Sequence, residues 1–251
     1  MKKITILALI CMFTTHIIAQ QKEGEVIYEE TIKLDIKIEG LDDEMLKMIP
    51  KENKSKKVLY FNETASTYQN TKEDENAVPG GMHAGLTIMT SHADNQVYHN
   101  LKTKERIEKK DFMSRTFIIK SRLNEGQWKL IGDQKMVLNY PCQCAIRTTE
   151  RDTVKAWFTP VIQVPAGPQS YVDLPGLILE VNINNGKIII TAKEVNLKSI
   201  DPKLITRPKK GKKVTIEEYE KIVAEKMKEM GADGGHANGK SVVIMKVGTS
   251  K

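Results

Sequence analysis

Residues 167–195 read "GPQSYVDLPGLILEVNINNGKIIITAKEV", and this stretch decides the fold. Asn185-Gly186 is the preferred pair for the centre of a type I′ turn, where both residues take positive φ. Such a turn sets Asn184 opposite Lys187, Val181 opposite Ile190 and Leu179 opposite Ala192 in an antiparallel hairpin. Because side chains alternate along a strand, the register fixes the faces. One face carries Leu179, Val181, Ile183, Ile188, Ile190 and Ala192; the other carries Ile178, Glu180, Asn182, Asn184, Ile189, Thr191 and Lys193. Ahead of the hairpin, Pro175-Gly176 suits the centre of a type II turn, the proline presetting φ and the glycine accepting the positive φ that follows. The stretch is a corner feeding a hairpin, scaffold rather than reactive site. Glu180 lies on the wet face within diagonal reach of Lys193, which predicts a cross-strand ion pair of small value.

Outward from the hairpin the chain is rich in strands. In "EVIYEETIKLDIKIE", Ile32, Leu34, Ile36 and Ile38 recur at period two with Lys33, Asp35 and Lys37 between them, the pattern of a half-buried antiparallel strand. Leu41, Met45, Leu46, Met48 and Ile49 predict a short helix stopped by Pro50. Further strands are expected at Val58 to Phe61, Thr64 to Gln69, Leu86 to Thr90, Gln96 to Asn100, Ile107 to Asp111 and Arg115 to Lys120. "NTKEDENAVPGGMHAG" has the acid, Gly and Pro content of a mobile loop.

Near the C-terminus the period changes. Thr215 and Glu218 make a capping box, and Ile216, Tyr219, Ile222, Val223, Met227 and Met230 follow helical spacing until Gly231. A helix over 215–230 is expected to lay this stripe on the sheet, followed by a flexible 231–240 and a last strand at "SVVIMKV". The fold class is mainly β: a large curved antiparallel sheet or unclosed barrel with one C-terminal amphipathic helix packed on it.

The N-terminus bears on location. Lys2 and Lys3, the apolar Ile4 to Ile18 and the small Ala19 form the pattern of a secretory signal peptide over residues 1–19, leaving 20–251 as one β-rich domain. The apolar run is shorter than the ~20 residues of a bilayer span, so the mature chain is expected to lack a transmembrane segment. Losing Lys2 and Lys3 lowers the formal charge from +7 by 2, to +5. The lysine clusters, Lys51 to Lys57 and Lys203 to Lys213, lack the interleaved aromatics of a nucleic-acid groove and read as solvated loops, so no nucleic-acid partner is expected.

The mature chain keeps Cys142 and Cys144 in "KMVLNYPCQCAIR", where period two places them with Met136, Leu138, Tyr140 and Ile146 on a face that reads as buried. Two residues along a strand separate Cα atoms by ~6.8 Å, the outer limit of disulfide geometry. Buried thiols, a labile disulfide and soft-metal capture all stay open. His83, His92 and His99, beside Met82 and Met89, are the other metal candidates, but their spacing fits no ligand pattern and surface histidines are the plainer reading. Trp128, Tyr140, Trp157, Phe158 and Tyr171 predict an aromatic core beneath the Pro-Gly corner. Thr153 in "DTV" is either a glycosylation acceptor or a plain strand residue. No Ser-His-Asp order, phosphate-cradling loop or His-Glu-x-x-His helix is present, and no cofactor is called for.

"GPQSYVDLPGLILEV", "AWFTP" at Ala156 to Pro160 and "YPCQCA" at Tyr140 to Ala145 resemble the GLPGLI family. The residues that carry the resemblance are Trp157, Pro160, Gly167, Pro168, Leu174, Pro175, Gly176, Leu177, Ile178 and Glu180, with Asp173 in place of the first glycine. The resemblance implies export, an antiparallel fold and a cell-envelope setting, periplasmic or at the outer membrane; it supplies no catalytic residue. Together these readings point to a non-enzymatic binding or scaffold protein working with an outer-membrane or other envelope partner. The alternatives are a periplasmic carrier of a hydrophobic ligand or lipoprotein and, third, a thiol or metal protein acting through Cys142 and Cys144.

Overall fold

The structure is a computed structural model, in which residues 21–33, 51–72, 82–83, 86–90, 94–123, 128–150, 152–229, 235–237 and 240–246 are described. The first expected strand, 25–39, is seen as strand up to Lys33, and its remainder, the helix at 41–49, His92 and residues 1–20 lie outside them.

The strands are β1 (Gly24–Lys33), β2 (Glu52–Phe61), β3 (Ala65–Asn70), β4 (Met82–His83), β5 (Leu86–Thr90), β6 (Gln96–Asn100), β7 (Glu105–Phe112) and β8 (Arg115–Arg122). They continue as β9 (Lys129–Val137), β10 (Tyr140–Thr148), β11 (Thr153–Thr159), β12 (Leu177–Ile183), β13 (Ile188–Leu197), β14 (Lys212–Val214), β15 (Gly235–Ala237) and β16 (Lys240–Lys246). The one α-helix among the described residues is α1 (Ile216–Glu229). Twelve strands form one open sheet in the order β14-β8-β7-β6-β3-β2-β1-β13-β12-β11-β10-β9. All its pairings are antiparallel except β14 with β8. A second sheet runs β15-β16-β5-β4, so part of the segment expected to be flexible is the strand Gly235–Ala237. The lysine clusters are also partly strand, in β2 and β14; Lys54, Lys56, Lys212 and Lys213 keep their side chains exposed, whereas Lys57, expected to be solvated, is buried and donates to Asn70 Oδ1.

The hairpin forms as its turn pair dictates. Val181 pairs with Ile190, and Asn185 and Gly186 take φ 53° and 88°. Leu179, Val181, Ile183, Ile188, Ile190 and Ala192 are all buried. Ile178, expected on the wet face, is buried too, because a bulge at Trp157/Phe158 shifts the β11–β12 register and the segment 160–176 folds over it. Ile178 N–H donates to Ala166 O at 3.0 Å and Leu177 N–H to Ile162 O at 3.0 Å, so this segment is tied onto the start of β12.

The corner itself differs from a type II turn. Gly176 has φ 154°, well beyond the +80° of that turn, and its N–H donates to Leu174 O at 2.7 Å, closing a three-residue turn about Pro175. A Cβ at Gly176 would lie 2.1 Å from Thr159 O, so the glycine is there for close backbone approach as well as for φ. Gly167 is equally confined, a Cβ there meeting Tyr171 O at 2.3 Å. Asp173 takes φ 76°, a left-handed conformation aspartate tolerates, and its carboxylate pairs with Lys104.

One contiguous core joins Val26 and Tyr28 of β1, Leu59 and Phe61 of β2, Phe158 of β11, the hairpin's inner face and Ile162, Val164, Tyr171 and Leu174 of the covering segment. Tyr28 Oη donates to Ile178 O at 2.5 Å across this core. A smaller cluster of Phe117, Ile119, Tyr219 and Val223 holds α1 on β8. The capping box is formed: Thr215 N–H donates to Glu218 Oε2 at 2.9 Å and Glu218 N–H to Thr215 Oγ1 at 3.1 Å. No helix among the described residues is long and apolar enough to cross a membrane.

Candidate functional site

Ten residues were singled out around the Pro-Gly corner. Leu174, Gly176, Leu177, Ile178, Gly167 and Pro168 are buried, while Pro160 and Pro175 are exposed. Their arrangement builds the scaffold. Trp157 and Glu180 form the one chemically marked pair, directly opposite each other on β11 and β12. Glu180 takes its ion pair from Lys135, 2.5 Å away, and not from Lys193, which pairs with Glu29 at 3.1 Å. Lys135 comes from β9, three strands off, and lies 4.5 Å over the Trp157 ring on its way, so the ring supports the ammonium that neutralises the carboxylate.

Cys142 and Cys144 are buried free thiols. Burial pushes the Cys142 thiol up to about 11 and raises that of Cys144, which disfavours the thiolate needed for nucleophilic or metal chemistry. The face they were expected to share is not continuous. The chain reverses at Leu138 and Asn139, leaving Met136 63% and Leu138 40% exposed, because what reads as one strand is the β9–β10 hairpin.

His99 is fully buried, contrary to a surface reading. It pairs across strands with Ser66 and Arg106; its Nδ1 lies 3.5 Å from Ser66 Oγ and its Nε2 has no partner. Burial, and secondarily the charge of Arg106, lowers its pKa to about 3, so the imidazole is neutral. His83 falls in β4. Among the described residues no three His, Cys, Asp or Glu side chains are grouped to hold a metal.

A second constellation was not anticipated. Arg147 of β10 has its guanidinium 4.7 Å from the Trp128 ring centroid and 5.3 Å from that of Tyr171. Trp128 is fixed by its indole N–H, which donates to Val172 O at 3.0 Å. Arg147 Nε is buried with no acceptor, and no carboxylate among the described residues pairs with the guanidinium. Burial, the largest cause, and the charge of Arg106 hold its pKa below the usual arginine value against the opposing influence of Tyr171. Arg106 is itself bound to Glu108 at 3.0 Å and donates to Ser121 Oγ at 3.0 Å, while Lys110 reaches Glu108 at 3.2 Å. Strand alternation carries a signal for Arg147, since period two puts it on the face of core residue Ala145. Glu30 is another buried polar residue on a core face, accepting from Gln169 Nε2 and, at 3.4 Å, from Ser55 Oγ.

The aromatic core beneath the corner is present: Phe158 and Tyr171 are buried in it, with Trp128, Tyr140 and Trp157 packed against it. Thr153 is the exposed first residue of β11.

Comparison with known proteins places this geometry. Residues 45–220 match the family model described as "N-glycanase peptide, N-terminal domain". Two solved structures of PNGF-II, in space groups P21 and C2, are similar in fold. Their TM-scores are 0.55 and 0.54 at 15% and 17% identity, each covering 81% of this chain. The chain spans about a third, 34% and 33%, of the length of those proteins. A search of curated proteins finds no match. The GLPGLI resemblance is thereby corrected. A Leu-Pro-Gly corner ahead of a hairpin solves a local backbone problem, the tight approach of Gly176 to Thr159, and that solution does not identify a family. With 45–220 matched, the chain belongs to the family of PNGase F-II N-terminal domains.

Proposed function

We propose that the chain is a non-enzymatic accessory protein that binds a glycosylated protein partner, exported and working in the cell envelope at the outer membrane. The observation that carries this reading is the edge of the large sheet at β9. Among the described residues β9 is paired on one side only, by β10, and it leaves a line of backbone donors and acceptors beside Leu130 and Met136, 55% and 63% exposed. An edge of that kind accepts an added strand from another chain, with exposed apolar side chains supplying affinity. The family description, an N-glycanase N-terminal domain, supports a glycoprotein as the class of partner. Export and the envelope setting are supported by the N-terminal pattern of residues 1–19.

The filled interior favours this reading over carriage of a hydrophobic ligand. Tyr28, Phe61, Phe158, Leu177 and Leu179 are completely buried against one another's cluster, so the apolar side of the sheet is occupied by the chain's own side chains. The buried, protonated thiols of Cys142 and Cys144 speak against thiol or metal chemistry.

The test uses the mature chain, an immobilised N-glycosylated protein and the same protein stripped of glycan. Binding to the glycosylated form, at least ten-fold weakened by Leu130→Lys or Met136→Lys, with no glycan released from a glycopeptide, is the expected result. Glycan release, a stoichiometric lipid mass in native mass spectra, or absence of glycoprotein binding would overturn it.

A further inference from the structure

We propose that Arg147 anchors a carboxylate-binding site, and that the carboxylate it takes belongs to an acidic sugar of a glycan; the choice of a sugar rests on the glycoprotein-binding reading above. Both Trp128 and Tyr171 lie within cation–π distance of the guanidinium. Two rings at these distances steady the guanidinium, and its terminal NH2 groups, rather than the buried Nε, are the route for recognition. A guanidinium edge is a rigid fork whose parallel donors match a planar, two-oxygen acceptor, which is the shape of a carboxylate.

Other partly buried cations of the sheet are neutralised. Half-buried Arg106 is bound by Glu108, and Lys135 by Glu180, whereas Arg147 has no carboxylate partner among the described residues and its buried Nε has no acceptor. A guanidinium partly removed from water and left without a counter-charge is held at a cost that an incoming anion reduces. Arg106 lies near enough for its charge to act on both Arg147 and His99; with Lys110 it shares the single carboxylate of Glu108, two cations to one anion, and the neutral imidazole of His99 adds no acidic competitor. The indole of Trp128 is only partly buried, and beside the fork it offers a flat apolar surface suited to the C–H face of a pyranose ring. Trp128 immediately precedes Lys129, the first residue of β9, so the site adjoins the edge at which the protein partner is placed.

The experiment titrates the mature chain by calorimetry with glucuronic acid and N-acetylneuraminic acid. Glucose and N-acetylglucosamine are the neutral controls, and glutamate is the peptide-type carboxylate. The acidic sugars are expected to bind at least ten-fold tighter than the neutral ones and than glutamate. Arg147→Lys, which keeps the charge and loses the fork, and Arg147→Gln are each expected to weaken acidic-sugar binding at least ten-fold, with far-ultraviolet circular dichroism confirming the fold. A parallel arm uses a sialylated glycoprotein before and after sialidase. Equal binding of acidic and neutral sugars, glutamate binding as well as glucuronate, or unchanged binding in Arg147→Lys would overturn the site. If the glycoprotein binds equally well before and after sialidase, the acidic-sugar site falls while the glycoprotein reading stands. If free acidic sugars bind through Arg147 and the glycoprotein does not, the site stands and that reading falls.

Discussion

The Lys135 ammonium reaches Glu180 at 2.5 Å only by crossing above the indole of Trp157, so a residue of the sheet's edge neutralises a carboxylate three strands inside it. Both side chains are partly shielded, 34% and 17% exposed, which places the pair between a surface bridge and a buried one. A double-mutant cycle with Lys135→Met and Glu180→Gln is expected to give a coupling of about 1 kcal/mol. Methionine keeps the apolar stem on Trp157, so the cycle isolates the charge. Zero coupling in urea melts would show that the two residues ignore each other.

Buried His99 makes stability depend on acid. Its folded pKa, about 3, lies below the ordinary histidine value of 6.5, so below pH 6.5 the unfolded chain binds a proton that the folded chain refuses. The contribution is whole above pH 6.5 and is lost as pH falls from there toward 3, at up to about 1.4 kcal/mol per pH unit. Ser66 Oγ lies 3.5 Å from Nδ1, and the charge of Arg106, on the paired strand, sharpens the refusal. Urea midpoints should fall between pH 7 and pH 5, and His99→Gln should flatten that dependence; an equal slope in the variant would refute the assignment.

Cys142 and Cys144 should be silent toward Ellman's reagent at pH 8 in the folded protein and react once the chain is denatured. With the Cys142 thiol at about 11, roughly one molecule in a thousand carries its thiolate at that pH, and the sulfur is buried besides. Labelling within minutes under native conditions would contradict the burial.

Gly176→Ala is expected to destabilise the chain by about 3 kcal/mol or more, since it combines a strained φ with a contact of 2.1 Å to Thr159 O. Gly132→Ala serves as the control, because a Cβ there meets nothing within 4 Å. Thermal melts of the two variants should separate widely. Similar melting temperatures would mean that the corner yields.

Local patterns were legible in the sequence wherever neighbours in the chain are also neighbours in space. Asn185-Gly186 gives the hairpin its register, and Thr215 with Glu218 gives α1 its start. What could not be read depends on distant strands and on bulges. The irregularities at Trp157/Phe158 and Gln143/Cys144 shift the pairing and break the assumption of uniform register on which Glu180 was assigned to Lys193. The exposure of Met136 follows from a reversal at Leu138, whose φ of 45° nothing in a leucine announces. His99 sits in "QVYHN", a strand with polar residues on both sides, and its burial comes from neighbouring β3 and β7. Alternation sets Arg147 on the face of Ala145, but its aromatic neighbours Trp128 and Tyr171 come from distant parts of the chain that no local pattern brings together.

The place of β1 has a consequence for how the chain comes together. Gly24–Lys33 is zipped on one side by residues 52–61 and on the other by 188–197, so the earliest strand of the large sheet acquires its second neighbour only after most of the polypeptide exists. Pairing across so much intervening sequence is slow, because the chain entropy of the loop must be surrendered before the contact returns anything. A nascent molecule therefore keeps one edge of β1 unpaired until residues 188–197 in its last third are delivered.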